Sequence, residues 1–324
     1  MRRQGAGGVG RGMMAALVVV AVVGAGLPGI AAAKQKGPSG QSFPGGAGAI
    51  AFTSNRAGGG LDIFRMDIDG FGATNLTSSS GVDDAEPAWS AEGTQIAFVS
   101  TRSGDLDVWV MTATGTHQTN VTNSAGTEEN QPAWFPNDTK ITFRSNRDGN
   151  DNIYVLNVSD PSAAPQQLTT NTHSDILPAI SPNGKQIAFA SDRDGDYEIY
   201  VMRAAPESAT NKPVRLTKNA AVDRDPDWSP DGARIAFDSD RGGNFDIFVM
   251  NADGTKQRNL TTTSGDKDTD PVWSPDGKRI AFERDKGRFA APYRDIFRMR
   301  ADGSKQFNLT DNFAIDANAA WQPR

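Results

Sequence analysis

The chain has 324 residues, of which 33 are basic and 39 acidic, giving a formal net charge of −6, and it has no cysteine. The missing cysteines exclude disulfides, a thiol nucleophile and a lipid anchor on sulfur. The acidic balance is a poor match for nucleic acid or anionic lipid, whose binding needs concentrated positive surface.

Residues 1–33 read as an export signal. Arg2, Arg3 and Arg11 form a basic start, Met13 to Val23 is apolar, and Ala31, Ala32 and Ala33 offer small residues for cleavage. The apolar run is short for a membrane span and a Gly/Pro break follows it, so no stable span is expected after cleavage. Removal leaves 30 basic against 39 acidic residues, a net charge of −9. Residues 34–48 are rich in Gly, Pro, Ser and Gln and read as a flexible leader.

From residue 49 to 324 one unit recurs six times: Ile-Ala-Phe, Ser-x-Arg, a Gly-rich turn, Asp-Ile-Phe/Tyr-x-Met, a polar turn, Leu-Thr, an acid and Pro-x-Trp. Its first element begins at Ile50, Ile96, Ile141, Ile187, Ile235 and Ile280, with spacings of 46, 45, 46, 48 and 45 residues. A period of this size marks an array whose units stack on copies of themselves. Apolar positions alternate with the period of two expected of strands. Each unit carries four such signals, here named a to d from the axis outward.

Strand a holds Pro-x-Trp, and proline, which cannot donate to a ladder, belongs on an edge. Strand b is Ile-Ala-Phe, strand c is Asp-Ile-Phe-Val-Met as at Asp246 to Met250, and strand d ends in Leu-Thr. The array opens on a strand b at Ile50 and closes on a lone strand a at Ala319, Ala320 and Trp321. The expected fold is therefore all-β, a six-bladed β-propeller with four antiparallel strands per blade. The C-terminal strand joins the N-terminal blade and closes the ring, because an open array would leave both end strands with bare edges.

These motifs, with Asp-Ile-Phe-Val-Met-Asn-Ala-Asp-Gly, Asn-Leu-Thr and Pro-x-Trp-Ser-Pro-Asp-Gly, resemble the TolB-type propeller repeat over about residues 50 to 324. The resemblance implies a six-bladed propeller that binds partners of a Tol-Pal-like envelope system. Related propellers precede the catalytic domain of prolyl-oligopeptidase-like enzymes. TolB has a mixed α/β domain before its propeller and the peptidases have a hydrolase domain after it; here a short leader precedes the repeats and the chain stops at Arg324, so the reading is a propeller alone.

The leading candidate site is a ring of charges. Chain direction reverses at every turn, so b–c and d–a loops share one face. The b–c loops begin with Arg56, Arg102, Arg147, Arg193, Arg241 and, in the last unit, Lys286. Three residues before each Pro position stands an acid: Asp84, Glu129, Asp175, Asp223, Asp268 and Asp316. These six carboxylates are expected around the channel mouth with the cations nearby. The favoured reading pairs each acid with an arginine as a structural tie, since semi-buried charges need partners. In the alternative, some carboxylates stay free to hold a cation or a basic peptide group.

The last b–c loop, Gly287 to Arg294, is long and carries Arg288, Phe289 and Tyr293, residue types suited to anchoring a partner; a drifted terminal repeat is the plainer account. The segment with Asp192, Asp194, Asp196 and Glu198 has the oxygen density of a calcium loop, but Gly in fourth and Glu in seventh place depart from the EF-hand pattern. A hairpin turn is the first reading there and calcium the alternative, so no cofactor is assigned. His117 and His173 fall in turns on opposite faces, and no Gly-x-Ser-x-Gly elbow is present. Asn-x-Thr triplets at Asn75, Asn259 and Asn308 match the glycosylation pattern but coincide with strand d.

The sequence thus points to an exported, monomeric, non-enzymatic propeller, periplasmic or extracellular, that binds a protein or peptide. A binder of envelope glycan or a small ligand at the channel mouth is the second reading, and a carboxylate-dependent lyase or hydrolase the third.

Overall fold

The computed structural model describes residues 48–160, 162–262, 265–286 and 293–323. The export signal, all of the leader but Gly48, and Arg288 and Phe289 lie outside these residues. The described residues fall in one unit, Gly45–Arg324, and form 24 strands in chain order.

Blade 1 contains β1 (Ala49–Ser54), β2 (Asp62–Asp67) and β3 (Thr74–Asn75), and blade 2 contains β4 (Asp84–Trp89), β5 (Gln95–Ser100), β6 (Asp107–Thr112) and β7 (Thr119–Asn120). Blade 3 is β8 (Glu129–Trp134), β9 (Lys140–Ser145), β10 (Asn152–Asn157) and β11 (Gln166–Gln167). Blade 4 is β12 (Asp175–Ile180), β13 (Gln186–Ser191), β14 (Glu198–Arg203) and β15 (Val214–Arg215). Blade 5 is β16 (Asp223–Trp228), β17 (Arg234–Ser239), β18 (Asp246–Asn251) and β19 (Arg258–Asn259). Blade 6 is β20 (Lys267–Trp273), β21 (Arg279–Asp285), β22 (Arg294–Arg300) and β23 (Phe307–Asn308), and β24 (Asp316–Trp321) crosses back to blade 1.

Every blade is a four-stranded antiparallel sheet, and that of blade 1 runs β24-β1-β2-β3. Closure follows the expected register, with Trp321 opposite Ile50 and Asp316 opposite Ser54. The Trp321 indole N–H donates to Val272 O at 3.2 Å, and Gln322 N donates to Ala49 O at 2.8 Å.

The core lies between blades. Phe52, Phe98, Phe143, Phe189, Phe237 and Phe282, the last residues of Ile-x-Phe, are fully buried. One interface joins Val108, Val110 and Val121 of blade 2 to Trp134, Ile141 and Phe143 of blade 3. Burial of this kind contributes about 1.5–3 kcal/mol per large side chain, so the ring holds without disulfides.

Each inner strand carries a bulge just before its Pro position. Register shifts there, for example between Ala85 and Ala88, and the residue concerned has a positive φ: Glu86 53°, Gln131 57°, Leu177 58°, Asp225 52°, Asp270 56° and Asn318 50°. Such φ values are uncommon without glycine. The bulge turns these six side chains into the central channel.

Candidate functional site

The repeated acids and arginines meet as pairs. Arg56 reaches Asp316 at 2.8 Å, Arg102 Asp84 at 2.7 Å, Arg147 Glu129 at 3.2 Å, Arg193 Asp175 at 2.9 Å and Arg241 Asp223 at 2.8 Å. Each acid sits opposite the serine of the neighbouring strand, as Asp84 opposes Ser100, and that serine accepts a bond from the arginine Nε, at 2.8 Å for Arg102. The guanidinium then lies over two aromatic rings of the blade; for Arg241 these are Phe237 at 5.4 Å and Phe248 at 4.6 Å. All six carboxylates are sealed from solvent, with side chains 0% exposed. They therefore do not line the channel mouth as expected, because the inner strand turns them into the blade.

Lys286 also stands elsewhere. It pairs with Asp295 at 2.9 Å, and the sixth acid, Asp268, is held by Arg284 at 2.6 Å. Arg284 occupies the serine position, yet its guanidinium lies over Phe282 and Phe297 at 5.3 and 4.7 Å, where the loop arginines lie in other blades.

In the loop with Asp192, Gly195 N donates to Asp192 O at 2.9 Å in a hairpin turn. Asp194 accepts from the Tyr200 hydroxyl and from Arg215, Glu198 from Arg215 and Asn219 N, and Asp192 from Ser174 N. These bonds commit the carboxylates of Asp194 and Glu198 to a shared Arg215 and that of Asp192 to Ser174 N. Among the described residues no three His, Asp or Glu side chains are placed to hold a metal ion. His117 is exposed beside Thr116, whereas His173 lies 3.7 Å from Asp192 in blade 4.

The Asn-x-Thr triplets hold the acid that opens strand c. Asn75 Nδ2 donates to Asp62 at 2.8 Å and Thr77 Oγ1 at 3.1 Å, while the same Thr77 hydroxyl accepts from Ile63 N at 3.0 Å. The triplet thereby fastens the short outer strand to strand c.

The channel is a cavity of about 790 Å³ lined by all six inner strands. Its lining differs from blade to blade. Towards the face of the b–c loops the bulge residues form a belt: Gln131 N donates to Glu86 at 2.7 Å, Leu177 N to Gln131 at 2.8 Å and Asn318 N to Glu283 at 2.6 Å. The series of acceptors breaks at Leu177, whose side chain has none. Towards the opposite face the walls are indole and proline rings, among them Trp134, Trp228, Pro182 and Pro230.

Blades 5 and 6 make one side of the lumen acidic. Asp225 shares a hydrogen bond with Asp238, and Asp270 shares one with Glu283. Arg224 lies 3.4 Å from Asp225 and 3.3 Å from Asp238, and Arg294 lies 3.2 Å from Glu283. Asp227 stands where other blades have Ala or Val and accepts from Trp273 N at 2.7 Å. Glu86, Asp225, Asp227 and Asp270 stay part-exposed along the channel, whereas Asp238 and Glu283 are buried, and protein surrounds all of them at the axis. Desolvation therefore pushes Glu86 and Asp227 up to about 7 and Asp225 up to about 6, the last opposed by Arg224. Asp270 is raised well above the usual carboxylate range by the same desolvation, with Glu283 adding to it.

The family model described as TolB beta propeller domain matches residues 81–176 and 162–293. The chain belongs to this family. Crystalline TolB from Acinetobacter baumannii is similar, at 23% identity and a TM-score of 0.73, covering 86% of this chain and 67% of that one. A protein assigned as TolB from Agrobacterium tumefaciens aligns at 20% identity and a TM-score of 0.65, covering 86% and 100%. Oligogalacturonate lyase from Vibrio parahaemolyticus aligns at 13% identity and a TM-score of 0.51, covering 69% and 64%. At these identities the likeness is one of fold. No curated protein sequence matches the chain.

Within this TolB-type propeller two features escaped the sequence reading. The lumen carboxyls break the repeat, so no recurring pattern marks them. Their signal is the position just before proline together with Asp227 in place of Ala. The other is Phe313, 80% exposed in the last d–a loop and edge-on to Tyr293 with centroids 5.6 Å apart. No helix of the described residues is long and apolar enough to cross a membrane.

Proposed function

We propose that the protein is a non-enzymatic binding scaffold, exported from the cytoplasm, that holds a protein or peptide on the face formed by the b–c and d–a loops. The Tyr293–Phe313 pair carries this reading: an aromatic side chain 80% exposed and braced by a second ring presents rigid apolar area to solvent. Rigid aromatic area of this kind is what hot spots use. The export-signal pattern of residues 1–33 and the acidic, cysteine-free composition agree with work in the periplasm or outside the cell. A partner of the Tol-Pal kind fits the family.

The test is affinity capture from an envelope extract. Tyr293→Ala with Phe313→Ala should lose the captured partner, while Phe71→Ala on the opposite face, also exposed at 56%, should keep it. Equal capture by both would reject this location.

Acid–base chemistry in the lumen is the second reading, favoured by Asp227, which has a raised pKa and no cationic partner among the described residues. An acidic wall would repel uronates, the substrate class named for the lyase, so a neutral glycan suits it better. Turnover of neutral oligosaccharides that disappears in Asp227→Asn would support it.

A further inference from the structure

We propose that the central channel is a binding site for a small organic cation, an ammonium or guanidinium group carried on an apolar or aromatic body. The inference goes beyond partner binding on the outer face, because it concerns the lumen and uses none of the residues assigned to that face.

Three observations carry it. The cavity, about 790 Å³, lies in the size range of pockets that enclose small molecules, and such pockets pair apolar walls with a few convergent polar groups. The walls divide in this way: tryptophan, proline and Ile180 towards one face, and towards the other the bulge belt of Glu86, Asp225 and Asp270, interrupted by Leu177.

The second observation is charge balance. Each acid of the outer ring has a guanidinium of its own within salt-bridge distance. Three lumen carboxyls have no salt bridge among the described residues: Glu86 accepts from Gln131 N and Asp227 from Trp273 N, while Asp270 accepts from Asn318 Nδ2 at 3.1 Å and shares a bond with Glu283. A desolvated carboxylate without a cation is costly, and an incoming ammonium or guanidinium supplies the missing charge with directed hydrogen bonds.

The third is a pair of donors left over in the same wall. Trp134, Trp228 and Trp321 give their indole N–H to a carbonyl of the preceding blade. Those of Trp89 and Trp273 are buried without an acceptor, although the two residues are only 7% and 4% exposed. Both belong to the cavity lining. A ligand placing its cation on Asp227 and Asp270 would lay its ring along these indoles, and Trp273 already takes a cation over its ring, the Arg234 guanidinium at 4.5 Å.

The same chemistry has two sources, a free amine or the lysine or arginine side chain of a partner segment, and titration calorimetry on the full chain separates them. The probes are phenethylamine and benzamidine as free cations, phenethyl alcohol as neutral isostere, an acetylated tri-lysine peptide, and calcium chloride. Phenethylamine or benzamidine should bind with a stoichiometry of one, and phenethyl alcohol should not. Asp227→Asn with Asp270→Asn should weaken binding by about tenfold or more, the loss expected when charge-assisted bonds become neutral ones. Leu177→Lys, which keeps every acid but places an ammonium inside the lumen, should also abolish binding, and unfolding curves of both variants establish that the ring is intact. Binding of the peptide alone would keep the chemistry and assign its source to a partner. Equal heats from alcohol and amine, cation binding unchanged in both variants, or binding of calcium alone would each overturn the proposal.

Discussion

Arg284 holds Asp268 through two bonds, Nε to Oδ1 at 2.6 Å and Nη2 to Oδ2 at 2.7 Å, from the strand position that serine occupies in the other five blades. Elsewhere the arginine lies two residues later and folds back over the serine. Blade 6 thus reaches the same endpoint, a guanidinium over two aromatic rings beside a sealed carboxylate, by a different path.

The relationship makes a reversal experiment possible. Arg284→Ser alone leaves Asp268 buried without a cation and should cost about 3–5 kcal/mol. Adding Lys286→Arg restores the arrangement of the other blades and should recover most of the loss. Urea unfolding of the single and double variants measures this, and a double variant no more stable than the single would refute the equivalence.

Ring closure predicts a second contrast. Trp321→Ala removes a buried indole and its bond to Val272, at a cost of about 3–5 kcal/mol. Phe313→Ala removes an exposed ring and should change stability by less than about 0.5 kcal/mol. Thermal unfolding compares the two, and similar losses would mean that Trp321 does not close the ring.

The lumen carboxyls set a pH dependence whose sign differs from that of a salt-bridged acid. Asp227 titrates near 7 in the folded protein against 3.8 in the unfolded chain, so between those values the folded state holds the extra proton. Its stabilising effect is complete below the unfolded value and is lost as pH rises through about 7. Asp227→Asn, which keeps an acceptor for Trp273 N, should be more stable than the parent at pH 8 by roughly 1–3 kcal/mol. The gap should shrink towards pH 4. A difference independent of pH would show that Asp227 is an ordinary surface acid.

The outer-strand triplets give a fourth prediction. Thr77→Val leaves Ile63 N without its acceptor and Asp62 with one donor fewer, at a cost of about 1–3 kcal/mol. Thr74→Val, at an exposed hydroxyl bonded only to Gly72 O, should be nearly neutral. Equal effects on unfolding would mean that Thr77 does not fasten the outer strand.

Blade number, strand order and closure were legible in the sequence because each rests on a feature repeated six times, and the Arg–acid ties were legible for the same reason. Asp84 and its counterparts were misplaced at the channel mouth because sequence gives the end of a strand, whereas the bulge at Glu86 decides which way the residues before it face. Arg284 was hidden because it does an expected task from an unexpected position. The lumen belt was unreadable for a related cause: Glu86, Gln131, Leu177, Asp225, Asp270 and Asn318 share a backbone shape but are three acids, two amides and a leucine, so comparison between repeats marks no residue type there.

The junction of β1 and β24 also determines how the ring answers a mechanical load. Gly48 and Gln322 leave the blade side by side, joined by Gln322 N to Ala49 O and by Ala49 N to Gln322 Oε1 at 3.2 Å. Pulling the two ends apart therefore peels the strands one bond at a time instead of shearing them all at once. The propeller should open at low force from this seam, passing through a gapped ring before any other blade is strained.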